Sequence, residues 1–83
     1  MDTCLITFRS VTPAQRGEMA LHREGISCTI HRTPKVLADQ GCGYSLRVRI
    51  QQLPKAVEIL RMKGIAYRKT YCLKNGTPEG VIL

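Results

Sequence analysis

Tyr44-Ser45-Leu46-Arg47-Val48-Arg49-Ile50 is the stretch that decides the fold. Tyr44, Leu46, Val48 and Ile50 fall on one phase of a two-residue period, and Ser45, Arg47 and Arg49 fall on the other. The pattern predicts a strand with one face on a core and one toward solvent, as in an antiparallel sheet covered on one side. Gly41-Cys42-Gly43 precedes it as a loop-to-strand junction. Beyond it Pro54 opens a helix, with Leu53, Val57 and Leu60 at helical spacing and Gly64 as its end.

Toward the N-terminus, Ile26, Cys28 and Ile30 alternate with Ser27, Thr29 and His31, which predicts another strand. Thr33-Pro34 breaks it, because proline lacks the amide that a ladder needs. Lys35 to Gln40 holds at most one helical turn. Thr12-Pro13-Ala14-Gln15 predicts a helix start, with Thr12 as cap, Pro13 at the first helical position and Gln15 reaching back. That helix runs to Arg23 or Glu24, turns Ala14, Gly17 and Leu21 inward, and closes at Gly25. Thr3 to Phe8 is β-branched and aromatic and reads as the first strand. Ile65 to Leu73 reads as the last main one.

The order is therefore β-α-β-β-α-β. It predicts an α+β, ferredoxin-like domain, an antiparallel sheet with two helices on one face. Residues 1–83 make a single domain, and 75–83, after the turn signal Asn75-Gly76, add an edge strand or a tail. Arg23-Glu24-Gly25-Ile26 and Met62-Lys63-Gly64-Ile65 echo one another, each carrying a helix end onward through Gly-Ile.

Composition narrows the function. One Phe, three Tyr and no Trp leave an aliphatic core and no deep aromatic pocket. The first apolar run is far too short to cross a membrane, and no leader is read at the N-terminus, so a cytoplasmic location is expected. Cys4, Cys28, Cys42 and Cys72 show neither a C-x-x-C nor zinc-ligand spacing, so they are expected to be free thiols in a reducing compartment. No metal or other cofactor is implied. The formal net charge of +7 favours an anionic partner over a cationic one, although a solvated basic surface explains it equally. Nucleic acid is disfavoured, because the outward positions assigned to the sheet carry no aromatic for bases to stack on.

Among the cysteines, Cys28 lies on the apolar phase of its strand, and Cys4 and Cys72 lie within or beside strands, so all three read as core. Cys42 differs. Gly41 and Gly43 strip side chains from both its neighbours and leave room for another molecule to approach. His31, Arg32 and Lys35 belong to the same connection and supply the cationic surroundings that favour a thiolate. The rival reading is a tight turn whose cysteine tucks into the core.

Thr33-Pro34-Lys35-Val36-Leu37 followed by Cys42-Gly43-Tyr44-Ser45-Leu46-Arg47 resembles a family of small bacterial selenium/sulfur carrier protein-like domains. Leu5 to Ser10 and the helix-to-strand passage through Gly25-Ile26 resemble it too, so that the likeness reaches Tyr71. The resemblance implies a sulfur- or selenium-handling role, with Thr33, Pro34, Cys42 and Gly43 at the motif positions. Its partners would be sulfur or selenium donor and acceptor proteins. The spacer before Cys42 is longer than the family's, with Gly41 the extra residue, and the Cys-Pro motif of better-understood sulfur carriers is absent. The expected chemistry is a persulfide or selenosulfide on Cys42. The alternative is a non-catalytic basic module that binds an anionic partner through the open face bearing Thr29, His31, Arg47 and Arg49.

Overall fold

A computed structural model of the chain describes residues 3–33, 43–74 and 77–81. The elements are β1 (Thr3–Phe8), α1 (Val11–Arg23), β2 (Thr29–Arg32), β3 (Tyr44–Arg49), α2 (Leu53–Met62), β4 (Thr70–Lys74) and β5 (Thr77–Val81). Among the described residues five strands form one sheet in the order β2-β3-β1-β4-β5, every neighbouring pair antiparallel. The first four strands and two helices have the expected ferredoxin-like arrangement. β5 extends the sheet at the β4 edge.

The core lies between the sheet and the helices. Cys4, Ile6 and Phe8 of β1 and Leu46 and Val48 of β3 meet Ala14 and Leu21 of α1 and Ala56, Val57 and Leu60 of α2. Gly17 lets α1 sit close to this layer. A Cβ there would stand 3.2 Å from Leu46 Cδ1, Leu60 Cδ2 and Phe8 Cζ.

Both helices end in the same way. The Gly25 and Ile26 amides donate to the His22 and Leu21 carbonyls, and those of Gly64 and Ile65 donate to Arg61 and Leu60. Gly25 and Gly64 hold φ of 79° and 68°, the left-handed conformation that this closure requires. The isoleucine that follows is buried in each case. The Gly-Ile echo is thus a repeated C-terminal motif that delivers an apolar anchor.

Several boundaries differ from expectation. The cap of α1 is Ser10, not Thr12, and no side chain bonds the open amides. Pro13 falls in the first turn, where no intrahelical donor is lost. β2 begins only at Thr29, although Ile26 and Cys28 ahead of it are buried. β4 begins at Thr70, and the preceding chain is held to β1 at Thr7. There the Thr7 hydroxyl donates to the Lys69 carbonyl and accepts from the Lys69 amide. Ile50 leaves the strand for a short 3-10 turn (Ile50–Gln52) and is 37% exposed, so it is not the core residue its phase suggested. The predicted turn at Lys35–Gln40 lies outside the described residues, as does Asn75-Gly76, although the pairing of Lys74 with Thr77 leaves just those two residues between β4 and β5.

Candidate functional site

The Thr33-Pro34 and Cys42-Gly43 motifs sit at opposite ends of the β2–β3 connection, and the sheet brings those ends together. Arg32 pairs with Tyr44 and His31 with Ser45. One step further the Thr33 amide donates to the Gly43 carbonyl at 3.1 Å. This neck fixes the points where the chain leaves and rejoins the sheet. Pro34, Lys35, Gly41 and Cys42 lie outside the described residues.

The described residues of the neck divide by face. The Arg32 guanidinium lies 5.7 Å from the centre of the Tyr44 ring, a cation–π contact between directly paired residues. His31 is exposed on the opposite face, its Nε2 2.8 Å from Thr29 Oγ1, so the ring is drawn along the strand away from the neck. Thr33 and Ser45 are buried on that same face, and neither hydroxyl has a hydrogen-bond partner. Gly43 is exposed, its φ is not positive, and a Cβ added to it meets open space. Among the described residues, nothing therefore requires glycine there.

The expectation of four free thiols is corrected. Cys4 and Cys72 form a disulfide. They stand directly opposite one another on β1 and β4, on the helix side of the sheet, with Cα atoms 3.9 Å apart. The bond removes the support that four free thiols would have lent to a reducing compartment. Cys28 is free and buried, as its strand phase indicated, and its Sγ faces the Glu18 carbonyl at 3.9 Å. Burial first, and then the Glu18 carboxylate, push its pKa up to about 11. A thiol so placed is protonated at neutral pH and a poor nucleophile.

The face away from the helices carries Thr29, His31, Arg47 and Arg49, all exposed as expected. Two features of it differ from the sequence reading. Leu5, Thr7 and Ser45 at its centre are fully buried, so this face is not solvated throughout. Tyr71, opposite Leu5, adds a half-buried aromatic to it. The alternation of β3 puts Ser45 with the exposed Arg47 and Arg49, but it is buried because it stands beside the central strand, opposite Thr7. Among the described residues no cluster of three His, Cys, Asp or Glu side chains could hold a metal ion. No helix among them is long and apolar enough to cross a membrane.

The sequence model of the family described as Putative Se/S carrier protein-like matches residues 3–72, from the start of β1 into β4. β5 lies beyond the matched segment. No curated protein and no solved structure gives a significant match.

Proposed function

The chain belongs to the family described as Putative Se/S carrier protein-like, and on that premise we propose that Cys42 receives and hands on a sulfur or selenium atom. The observation that carries this reading is the condition of the other three cysteines. Cys4 and Cys72 are spent on a disulfide, and Cys28 is buried with its pKa raised to about 11. The remaining cysteine is Cys42. The neck supports the assignment, since the Thr33–Gly43 bond ties together the two ends of the connection to which Cys42 belongs, and Gly43, its neighbour in sequence, adds no side chain.

The step is a thiol–persulfide exchange. The Cys42 thiolate attacks the outer sulfur of a donor persulfide, R–S–SH, the donor's S–S bond breaks, and R–S⁻ leaves with the electron pair. Cys42–S–SH results, with no net oxidation. A donor selenosulfide, R–S–SeH, transfers selenium by the same displacement at selenium. Arg32 and Lys35 would favour the thiolate through their charge, whereas the His31 ring is held by Thr29 away from the neck. The buried Thr33 and Ser45 hydroxyls, which lack a partner among the described residues, would serve as donors to an anionic sulfur.

Loading by a cysteine desulfurase with cysteine, followed by mass spectrometry of the intact chain and its peptides, tests the proposal. The expected result is one added sulfur on the Cys42 peptide, lost in Cys42→Ser and kept in Cys28→Ser. Equal loading of Cys42→Ser would overturn it. The basic-module reading retains one specific observation, the exposed His31, Arg47 and Arg49 face, and predicts salt-sensitive binding to a polyanion that Cys42→Ser leaves unchanged.

A further inference from the structure

A second site lies at the other end of the sheet. β2 begins at Thr29, which pairs with Arg47, so β3 runs on past it without a neighbour on that side. The chain from Gly25 to Cys28 stands off from this free edge, held by the His22 ring, whose Nε2–H donates to the Cys28 carbonyl at 3.0 Å. Between them is a cleft of about 580 Å³, in the size range of small-molecule sites. Arg49 lies five residues along β3 from Tyr44, roughly 17 Å at ~3.3 Å per residue, so the far end of the cleft stands away from the neck, while Thr29 at its near end bonds His31.

The lining is chemically one-sided. Arg47 and Arg49 project from the same face of β3, two residues apart, and both are exposed. Their paired neighbours are Thr3, Leu5 and Thr29, none of them acidic, and among the described residues neither arginine forms an ion pair. Thr3, Ser27 and Thr29 add hydroxyl-bearing residues to the lining, the Thr29 hydroxyl being bonded to His31 Nε2. The floor, Ile26 and Val48, is apolar and buried. Among the described residues the lining includes no carboxylate, and its one ring is the His22 imidazole, already bonded to the Cys28 carbonyl. Two guanidinium groups from one strand face, with no ion pair among the described residues, present forked donors that suit a tetrahedral oxyanion.

We infer that this cleft binds a small dianionic oxyanion of the phosphate or thiosulfate type, free or as the head of a small metabolite, with Arg47 and Arg49 as its principal ligands.

The probes are inorganic phosphate, thiosulfate and glycerol 3-phosphate. Each is titrated into ¹⁵N-labelled protein at constant ionic strength, with chloride as the comparison. Saturable shifts of the Gly25–Thr29 and Val48–Arg49 amides are expected with the dianions, while chloride gives none that saturate. Arg47→Gln with Arg49→Gln should weaken binding about tenfold or more. Arg16→Gln, on α1, should leave it unchanged. Tighter binding of glycerol 3-phosphate than of phosphate assigns the site to a metabolite head, and the reverse assigns it to the free ion; both support the inference. Shifts that rise linearly with concentration, or that survive the double substitution, overturn it. Repeating the titration in Cys42→Ser separates this site from the carrier proposal, because the cleft should bind equally well without that thiol.

Discussion

Breaking the Cys4–Cys72 bond should remove a large share of the domain's stability. The two residues are 68 apart in sequence, so the bond closes nearly the whole chain into a loop. For a loop of that length the chain-entropy relation gives about 4 kcal/mol at 25 °C, as lost freedom of the unfolded state. Native strain and residual unfolded structure reduce the figure, so about 3–4 kcal/mol is expected. Against a typical total of about 5–15 kcal/mol that leaves a marginal domain. The measurement is urea unfolding of a Cys28→Ser/Cys42→Ser background with and without reductant, the state of the bond being checked by mass. In that background the reductant has one bond to act on. At roughly 4–8 °C per kcal/mol for a domain of this size, Tm should fall by about 12–32 °C in a thermal melt of the same pair. Unfolding midpoints that coincide while mass confirms full reduction would refute the loop-closure reasoning.

Other substitutions probe the fold and the site separately. Leu46→Ala, at a fully buried position facing both helices, should cost about 2–5 kcal/mol, whereas Ile50→Ala should cost under about 1 kcal/mol. Equal losses in chemical denaturation would count against the break in β3 at Arg49. Gly43→Ala should stay within about 1 kcal/mol of the parent, since its side chain meets open space, yet slow sulfur loading of Cys42 by crowding the approach. Loading at the parental rate would argue against Gly43 as a clearance residue. Cys28 ionises near 11 in the folded chain against an ordinary value of 9.0. The unfolded chain therefore releases its proton first, and stability should decline as pH rises from about 9 toward 11. Cys28→Ala should flatten that decline, measurable by urea midpoints across the range, and an unchanged slope would remove Cys28 as its source.

What the sequence revealed and what it hid follow from the range of each interaction. The inward phase of Tyr44, Leu46 and Val48 and the Gly-Ile helix ends are local patterns, and both appear in the structure. Ile50 continues that local pattern but belongs to the next element, because the strand ends where the turn into α2 starts. The Cys4–Cys72 pairing had no local signal. It depends on β4 returning beside β1 in a register that aligns two distant cysteines, and spacing alone does not encode that. Burial of Ser45 and Leu5 on the face away from the helices is likewise a property of position within the sheet rather than of alternation. At the candidate site, Thr33-Pro34 and Cys42-Gly43 were legible as motifs, and the structure adds the hydrogen bond that joins their ends. Cys42 itself lies outside the described residues.

The same disulfide changes what the molecule is as a covalent object. From Cys4 to Cys72 the backbone and the sulfur bridge form a closed ring. One protease cut within that ring, including one between Thr33 and Gly43, opens a loop without making two molecules. The fragments would migrate together on a gel until reductant is added, and would still be presented to each other for refolding at an intramolecular concentration. An oxidised chain can therefore be nicked next to its proposed thiol and remain one particle, whereas a reduced chain cut at the same bond becomes two.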